Sequence, residues 1–192
     1  MSVSNSLKAH FDEHARVVDL AAKALLGGVE TYAGWVTETV EGGGCLFLCG
    51  NGGSAADAQH LAAEYVVRFT RDRRAIAAVA LTTDTSVLTA AANDYGFERV
   101  FARQLEALAS AGDLLVLHST SGTSSNLLAA AAVARSRGVR TIALLARNGG
   151  TLADEVDLAL VVPTDSTARA QEMHLLIGHA VCDVVEQELA QG

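Results

Sequence analysis

The sequence predicts an α/β fold, a three-layer αβα sandwich on a five-stranded parallel sheet with an N-terminal helical extension. Three observations carry this. Five short apolar runs, at 45–49, 76–81, 114–117, 141–145 and 158–162, have the pattern of strands buried on both faces. Helix-length segments separate them, and alternating strands and helices build parallel sheets covered on both sides. Half of the 192 residues are hydrophobic but only 5% are aromatic, so the core is to be packed from Ala, Val and Leu. Such a composition belongs to a folded domain, not a disordered chain.

The elements follow in order. Leu7, Phe11, His14, Val18, Ala21 and Leu25 recur at helical spacing, predicting helices over 4–26 and 29–41 with a break at Gly27-Gly28. Residues 1–41 are read as these two helices, packing on the sheet or at a subunit interface. Residues 42–192 carry the sheet, and the whole makes one compact domain. After the strand at 45–49, helical segments are expected at 54–68, 85–110, 125–137, 150–156 and 168–190, each except the last followed by a strand.

Charge and composition exclude several classes. Twenty-two acidic residues against 14 basic give a net charge of -8, no footprint for nucleic acid. The most apolar stretch, 75–92, is broken by Asp84 and five Ser/Thr, so nothing reaches the ~20 residues of a membrane helix. The start lacks the basic and apolar regions of a signal peptide. Cys45, Cys49 and Cys182 include no C-x-x-C and read as reduced thiols. A cytoplasmic location is expected.

Ligands of such sheets bind beyond the carboxyl ends of the strands. At the first end stands Gly50-Asn51-Gly52-Gly53-Ser54, glycines that let backbone approach an anion at a helix N-terminus. Ala55 occupies the place of the third glycine of a dinucleotide fingerprint, which weighs against NAD. At the third strand's end stands Ser119-Thr120-Ser121-Gly122-Thr123-Ser124-Ser125-Asn126. Six hydroxyl residues in the seven positions 119–125 exceed what capping a helix needs. They form a set of neutral donors for a phosphate, and no nucleoside-triphosphate loop motif is present. A sugar monophosphate fits best.

Acid, base and metal candidates are sparse. His10 and His14 belong to the N-terminal helix surface or an interface; His118 reads as structural, with a site role left open by its closeness to the hydroxyl loop; His174 receives no role. His60 and Glu64 stand four apart on the helix after the glycine loop and share a face. That spacing suits a divalent metal, an acid/base pair or a plain solvated face. Gln171 and His179 are eight apart on the last helix, about 12 Å of rise. A site using both is most easily completed by a neighbouring subunit.

Four segments now stand in order: C-G-N-G-G-S-A-A-D-A-Q-H-x-x-x-E from Cys49, A-N-D-Y-G-F from Ala92, S-T-S-G-x-S from Ser119, and R-x-Q-E-x-H-x-x-x-x-H from Arg169. Over essentially the whole chain this resembles the phosphoheptose isomerases, proteins of the sugar-isomerase (SIS) domain class. The resemblance implies a homotetramer with active sites between subunits, converting sedoheptulose 7-phosphate to D-glycero-D-manno-heptose 7-phosphate. It implies that Ser54, Ser119, Ser121 and Ser124 hold the phosphate with Thr120 close by, and that Asn51, Arg68 and Asp94 contact or frame the sugar. Gly52, Gly53, Asn93 and Gln171 complete the implied substrate site. Glu64 and His179 would be the acid/base pair, and His60, Glu64, Gln171 and His179 the ligands of a zinc ion.

The chain departs from the resemblance at Arg74 and Ala77, where prolines are often found, at His118, usually apolar or aromatic, and at Ala168, in some members Asp. None of these removes a proposed catalytic group. Two alternatives remain: a non-catalytic tetrameric scaffold binding the bacterial replication initiator protein, or another SIS protein, acting on or sensing a different phosphosugar. Glu64 and His179, lost in the scaffold, are both present and favour an enzyme.

Overall fold

A computed structural model describes residues 3–190. The chain runs α1 (Val3–Glu41), β1 (Leu46–Gly50), α2 (Gly53–Val66), β2 (Ala78–Ala80), α3 (Thr85–Tyr95), α4 (Ala102–Leu108), β3 (Leu114–His118), α5 (Ser125–Ser136), β4 (Arg140–Ala146), β5 (Leu158–Val162) and α6 (Thr167–Leu189). The five strands form one sheet in the order β2-β1-β3-β4-β5, every pair parallel. The expected α/β class and strand count are both met.

Strand alternation sorts the core into two layers. Leu46, Leu48, Leu114, Val116, Ile142 and Leu144 face α1, α2 and α6, while Phe47, Cys49, Leu115, Leu117, Ala143 and Leu145 face α4 and α5. Both faces are dry, which is why the strands read as unbroken apolar runs instead of alternating ones.

Four expectations needed correction. The two N-terminal helices are one helix of 39 residues. A glycine inside a helix costs about 1 kcal/mol against alanine, but here packing decides. A β-carbon at Gly28 would fall 2.5 Å from Leu160 Cδ2, so the missing side chain lets α1 lie close against β5. The segment 85–110 is broken at Gly96, where φ is 88°, and a short 3-10 turn, Phe97–Arg99, separates α3 from α4. Instead of a helix, 150–156 holds a 3-10 turn at Thr151–Asp154, since the Leu152 N–H bonds the Gly122 carbonyl at 2.8 Å. Only Ala78–Ala80 of the 76–81 run is strand, and the Ile76 N–H goes to the Tyr65 carbonyl.

This strand order places the site. β2 lies on one side of β1 and β3 on the other, so the chain leaves β1 and β3 in opposite directions. α2 covers one face and α5 the other. A crevice opens at such a switch point, beyond the strand ends. Gly50 and His118 pair there in register, and both loops singled out in the sequence begin at that line. Among the described residues, no helix is long and apolar enough to cross a membrane.

Candidate active site

The glycine loop and the hydroxyl loop enclose a cavity of about 200 Å³ lined by Asn51, Ser54, Ser119, Thr120, Ser121, Ser124 and Gln171, with His118 and Thr167. Among the described residues, no lysine or arginine lines it. Ser119 Oγ accepts the Gly122 N–H at 3.0 Å, and Ser121 Oγ accepts the Thr123 hydroxyl at 3.3 Å. Ser124 stands at the N-cap of α5, yet its side chain makes no capping bond and is available to a ligand. Gly122 holds φ 67°, and a β-carbon there would collide with the Gly149 carbonyl, so this turn needs glycine. Gly52 precedes α2 and Gly53 opens it. A β-carbon on Gly53 would run into the Gln171 amide, so Gly53 is what admits Gln171 to the cavity. A neighbouring cavity of about 170 Å³ shares Asn51 and adds Gly52, Thr82, Phe97 and Phe101. Hydroxyls and two helix N-termini make an anion site without a cationic side chain.

A second group lies further along α2. His60 and Glu64 on α2 meet His179 of α6, and one ligand atom from each lies within 4.8 Å of the others. His60 Nε2 and His179 Nε2 are 2.7 Å apart, and His60 Nε2 lies 3.4 Å from a Glu64 carboxylate oxygen. Phe69 stacks on the His179 ring at 5.1 Å between centroids, 24° from parallel. Burial holds the His179 imidazole below its ordinary pKa, His60 adds to this, and Glu64 opposes it. A neutral imidazole beside a carboxylate and a second imidazole can move protons or bind a metal. Three of the four expected zinc ligands therefore meet, while Gln171 lies two turns earlier on α6, against Gly53.

Residues 9–146 match the SIS domain family. A phosphoheptose isomerase of Roseiflexus sp. is 50% identical over 187 residues, covering 97% of this chain and 93% of that protein. The chain belongs to the phosphoheptose isomerase family of SIS-domain proteins. A phosphoheptose isomerase of Geobacter sulfurreducens is 53% identical over 174 residues, covering 91% of this chain and 92% of the other. The solved phosphoheptose isomerase of Neisseria gonorrhoeae superposes with a TM-score of 0.92 at 44% identity, covering 97% of this chain and 100% of that one. The Francisella tularensis structure gives 0.94 at 35%, with the same coverage. As a phosphoheptose isomerase family member, the chain is a sugar-phosphate isomerase.

Within this phosphoheptose isomerase fold, other expected residues stand apart. Arg68 is exposed beside Phe69. Asn93 and Asp94 lie exposed at the end of α3, bonded to each other at 2.8 Å. None of the three lines either cavity. The structure also supplies partners that spacing did not announce. Asn126 of α5 binds Asn51 across the crevice. Glu186 accepts the backbone N–H groups of Phe69, Thr70 and Arg71 at 2.7 to 2.9 Å, fixing the loop that carries Phe69. Arg73 lies 3.1 Å from Glu186 and donates to the Glu64 carbonyl at 2.7 Å, joining the end of α2 to α6. These pairs are separated by up to 117 positions in sequence (69 to 186), and no periodicity signals them.

Proposed function

We propose that the chain interconverts sedoheptulose 7-phosphate and D-glycero-D-manno-heptose 7-phosphate through an enediol, with Glu64 and His179 as the acid/base pair. The observation that carries this reading is the separation of two chemistries along one helix. Ser54 at the start of α2 belongs to the anion cavity, and Glu64, ten residues on, to the His60–His179 group. Ten residues are about 15 Å of rise, shortened because helical side chains lean toward the N-terminus. A seven-carbon sugar with a terminal phosphate has the length to place its far carbons at Glu64.

In the proposed reaction Ser54, Ser119, Ser121 and Ser124 hold the phosphate, with Thr120 beside them, and Asn51, Gly52, Gly53 and Gln171 shape the path of the sugar. Glu64 removes a proton from C1 of the ketose, and His179 carries a proton from the C1 oxygen to the C2 oxygen. Glu64 then returns its proton to C2, leaving the carbonyl at C1. General acid–base help of this kind contributes roughly 10²–10⁴-fold. His60, Glu64 and His179, two imidazoles and a carboxylate already converging, fit zinc as a donor set. When bound, zinc would polarise the carbonyl and stabilise negative charge on its oxygen. Gln171 is the proposed fourth ligand, and its distance along α6 supports completion of the set across a subunit boundary.

A homotetramer with shared active sites follows from the same reading, with Arg68, Asn93 and Asp94 meeting the sugar from a neighbouring chain. It is supported by α1, whose Leu7 and Phe11 are 58% and 76% exposed. A cytoplasmic location, with no nucleic-acid or membrane partner, accords with three free cysteines and a net charge of -8. The test is a panel of five-, six- and seven-carbon ketose phosphates assayed with and without zinc. Turnover confined to the seven-carbon substrate is expected. Preference for a shorter sugar, or no turnover of any, overturns the proposal, the latter in favour of a non-catalytic scaffold.

A further inference from the structure

Among the described residues a second trio of potential ligands occurs, separate from the His60 group: Asp57, His118 and His174, with one ligand atom from each within 4.8 Å of the others. The sheet brings them together. His118 ends β3 and, by strand alternation, shares a face with Leu114 and Val116, toward α2 and α6. Asp57 projects from α2 and His174 from the buried side of α6. Both imidazoles are fully buried, their rings edge to face at 6.1 Å.

Buried polar atoms in folded proteins are nearly always partnered. Here Asp57 Oδ2, both ring nitrogens of His118 and Nδ1 of His174 have no hydrogen-bond partner. The remaining nitrogen of His174 shows what this means. His174 Nε2 lies 3.1 Å from the Leu145 carbonyl, which only accepts, so Nε2 carries the proton and Nδ1 offers a lone pair. The Asp57 carboxylate offers lone pairs as well. Two acceptors and an unpartnered imidazole around one point call for a guest that donates hydrogen bonds or brings positive charge.

We propose that Asp57, His118 and His174 form an interior site for a divalent transition-metal ion, directly behind the phosphate-binding loop. Two imidazoles and one carboxylate are a donor set for zinc and its first-row neighbours, whereas calcium and magnesium require more oxygens. The His174 bond to a backbone carbonyl is the outer support that orients a metal-binding imidazole. Burial pushes His118 down to about 3 and His174 to about 4, so both are neutral as ligation demands. His118 also lines the serine cavity, which has no cationic side chain. A bound ion would place positive charge behind that anion site.

The test counts ions in tag-free protein stripped with chelator, reloaded with cobalt(II) and freed of excess metal. It uses the H60Q/H179Q double variant, in which the outer group is disabled, and therefore does not depend on isomerase activity. One ion per chain is expected to remain. Adding His118→Leu or, separately, Asp57→Asn should remove it, with circular dichroism confirming the fold. Asp57→Asn keeps the side-chain volume and serves where His118→Leu fails to fold. No retained ion in H60Q/H179Q, as when a buried water fills the space, overturns the proposal. So does an ion that persists after either added substitution.

Discussion

Asn51 and Asn126 are joined by reciprocal amide bonds, each Nδ2 donating to the other's Oδ1, at 3.0 and 2.8 Å. One residue belongs to the glycine loop and the other opens the helix behind the hydroxyl loop, so the pair sets the width of the crevice between β1 and β3. Replacing Asn126, 2% exposed, by Ala removes both bonds. At about 1 kcal/mol for each neutral bond, KM for the phosphosugar should rise about tenfold or more, with a smaller change in kcat. Unaltered steady-state kinetics would show that the loops hold their spacing without the pair.

Glu64→Gln and His179→Gln should each lower kcat by roughly 10²–10⁴-fold, leaving the fold intact. Isotope exchange in deuterated water separates their roles. Glu64→Gln is expected to lose exchange at carbon, and His179→Gln to retain slow exchange without completing turnover. Retention of turnover in either variant sinks the assignment.

Glu186 is 1% exposed in its side chain, and burial by itself would raise its pKa. The N–H groups of Phe69, Arg71 and Thr70, with the Arg73 guanidinium, outweigh that and hold it below the ordinary 4.5. Its ionised form therefore stabilises the fold at neutral pH, and this contribution disappears as pH falls from about 4.5 through the lower folded value. Glu186→Gln leaves Arg73 without its buried partner and should cost about 3–5 kcal/mol at pH 7. The gap from the parent should narrow below pH 4.5 in denaturant titrations at successive pH values. Because the Phe69 loop loosens, kcat should fall as well.

Two glycines of the site should respond oppositely to alanine. Gly53→Ala meets only the movable end of Gln171, so stability should stay within about 1 kcal/mol while KM rises. Gly122→Ala meets backbone carbonyl at a positive φ and should lose several kcal/mol, measured as a lowered Tm. Similar losses in both would refute the role given to Gln171.

Phe11→Glu, on the exposed early part of α1, should shift the assembly to smaller species by light scattering, with loss of turnover if sites are shared between subunits. An unchanged mass would place the interface elsewhere.

The five strands, the two anion loops and the His60–Glu64 pair were all legible in the sequence, because each depends on local pattern. Burial on both faces writes apolar runs, helix starts collect hydroxyls and glycines, and a spacing of four aligns two side chains on a helix. The glycine pair in α1 misled for the same reason: its local signal is a break, and only contact with β5 turns Gly28 into a packing surface. The stacking of Phe69 on His179, the Asn51–Asn126 bridge and the anchoring of a loop by Glu186 have no local signature. His118 and His174 looked like unrelated histidines until strand alternation and helix packing brought them beside Asp57. By itself the sequence determined the order of elements and the chemistry available at the strand ends, since those follow from neighbours along the chain. Which side chains meet was decided by the sheet order β2-β1-β3-β4-β5, because contact between distant residues is settled when layers pack.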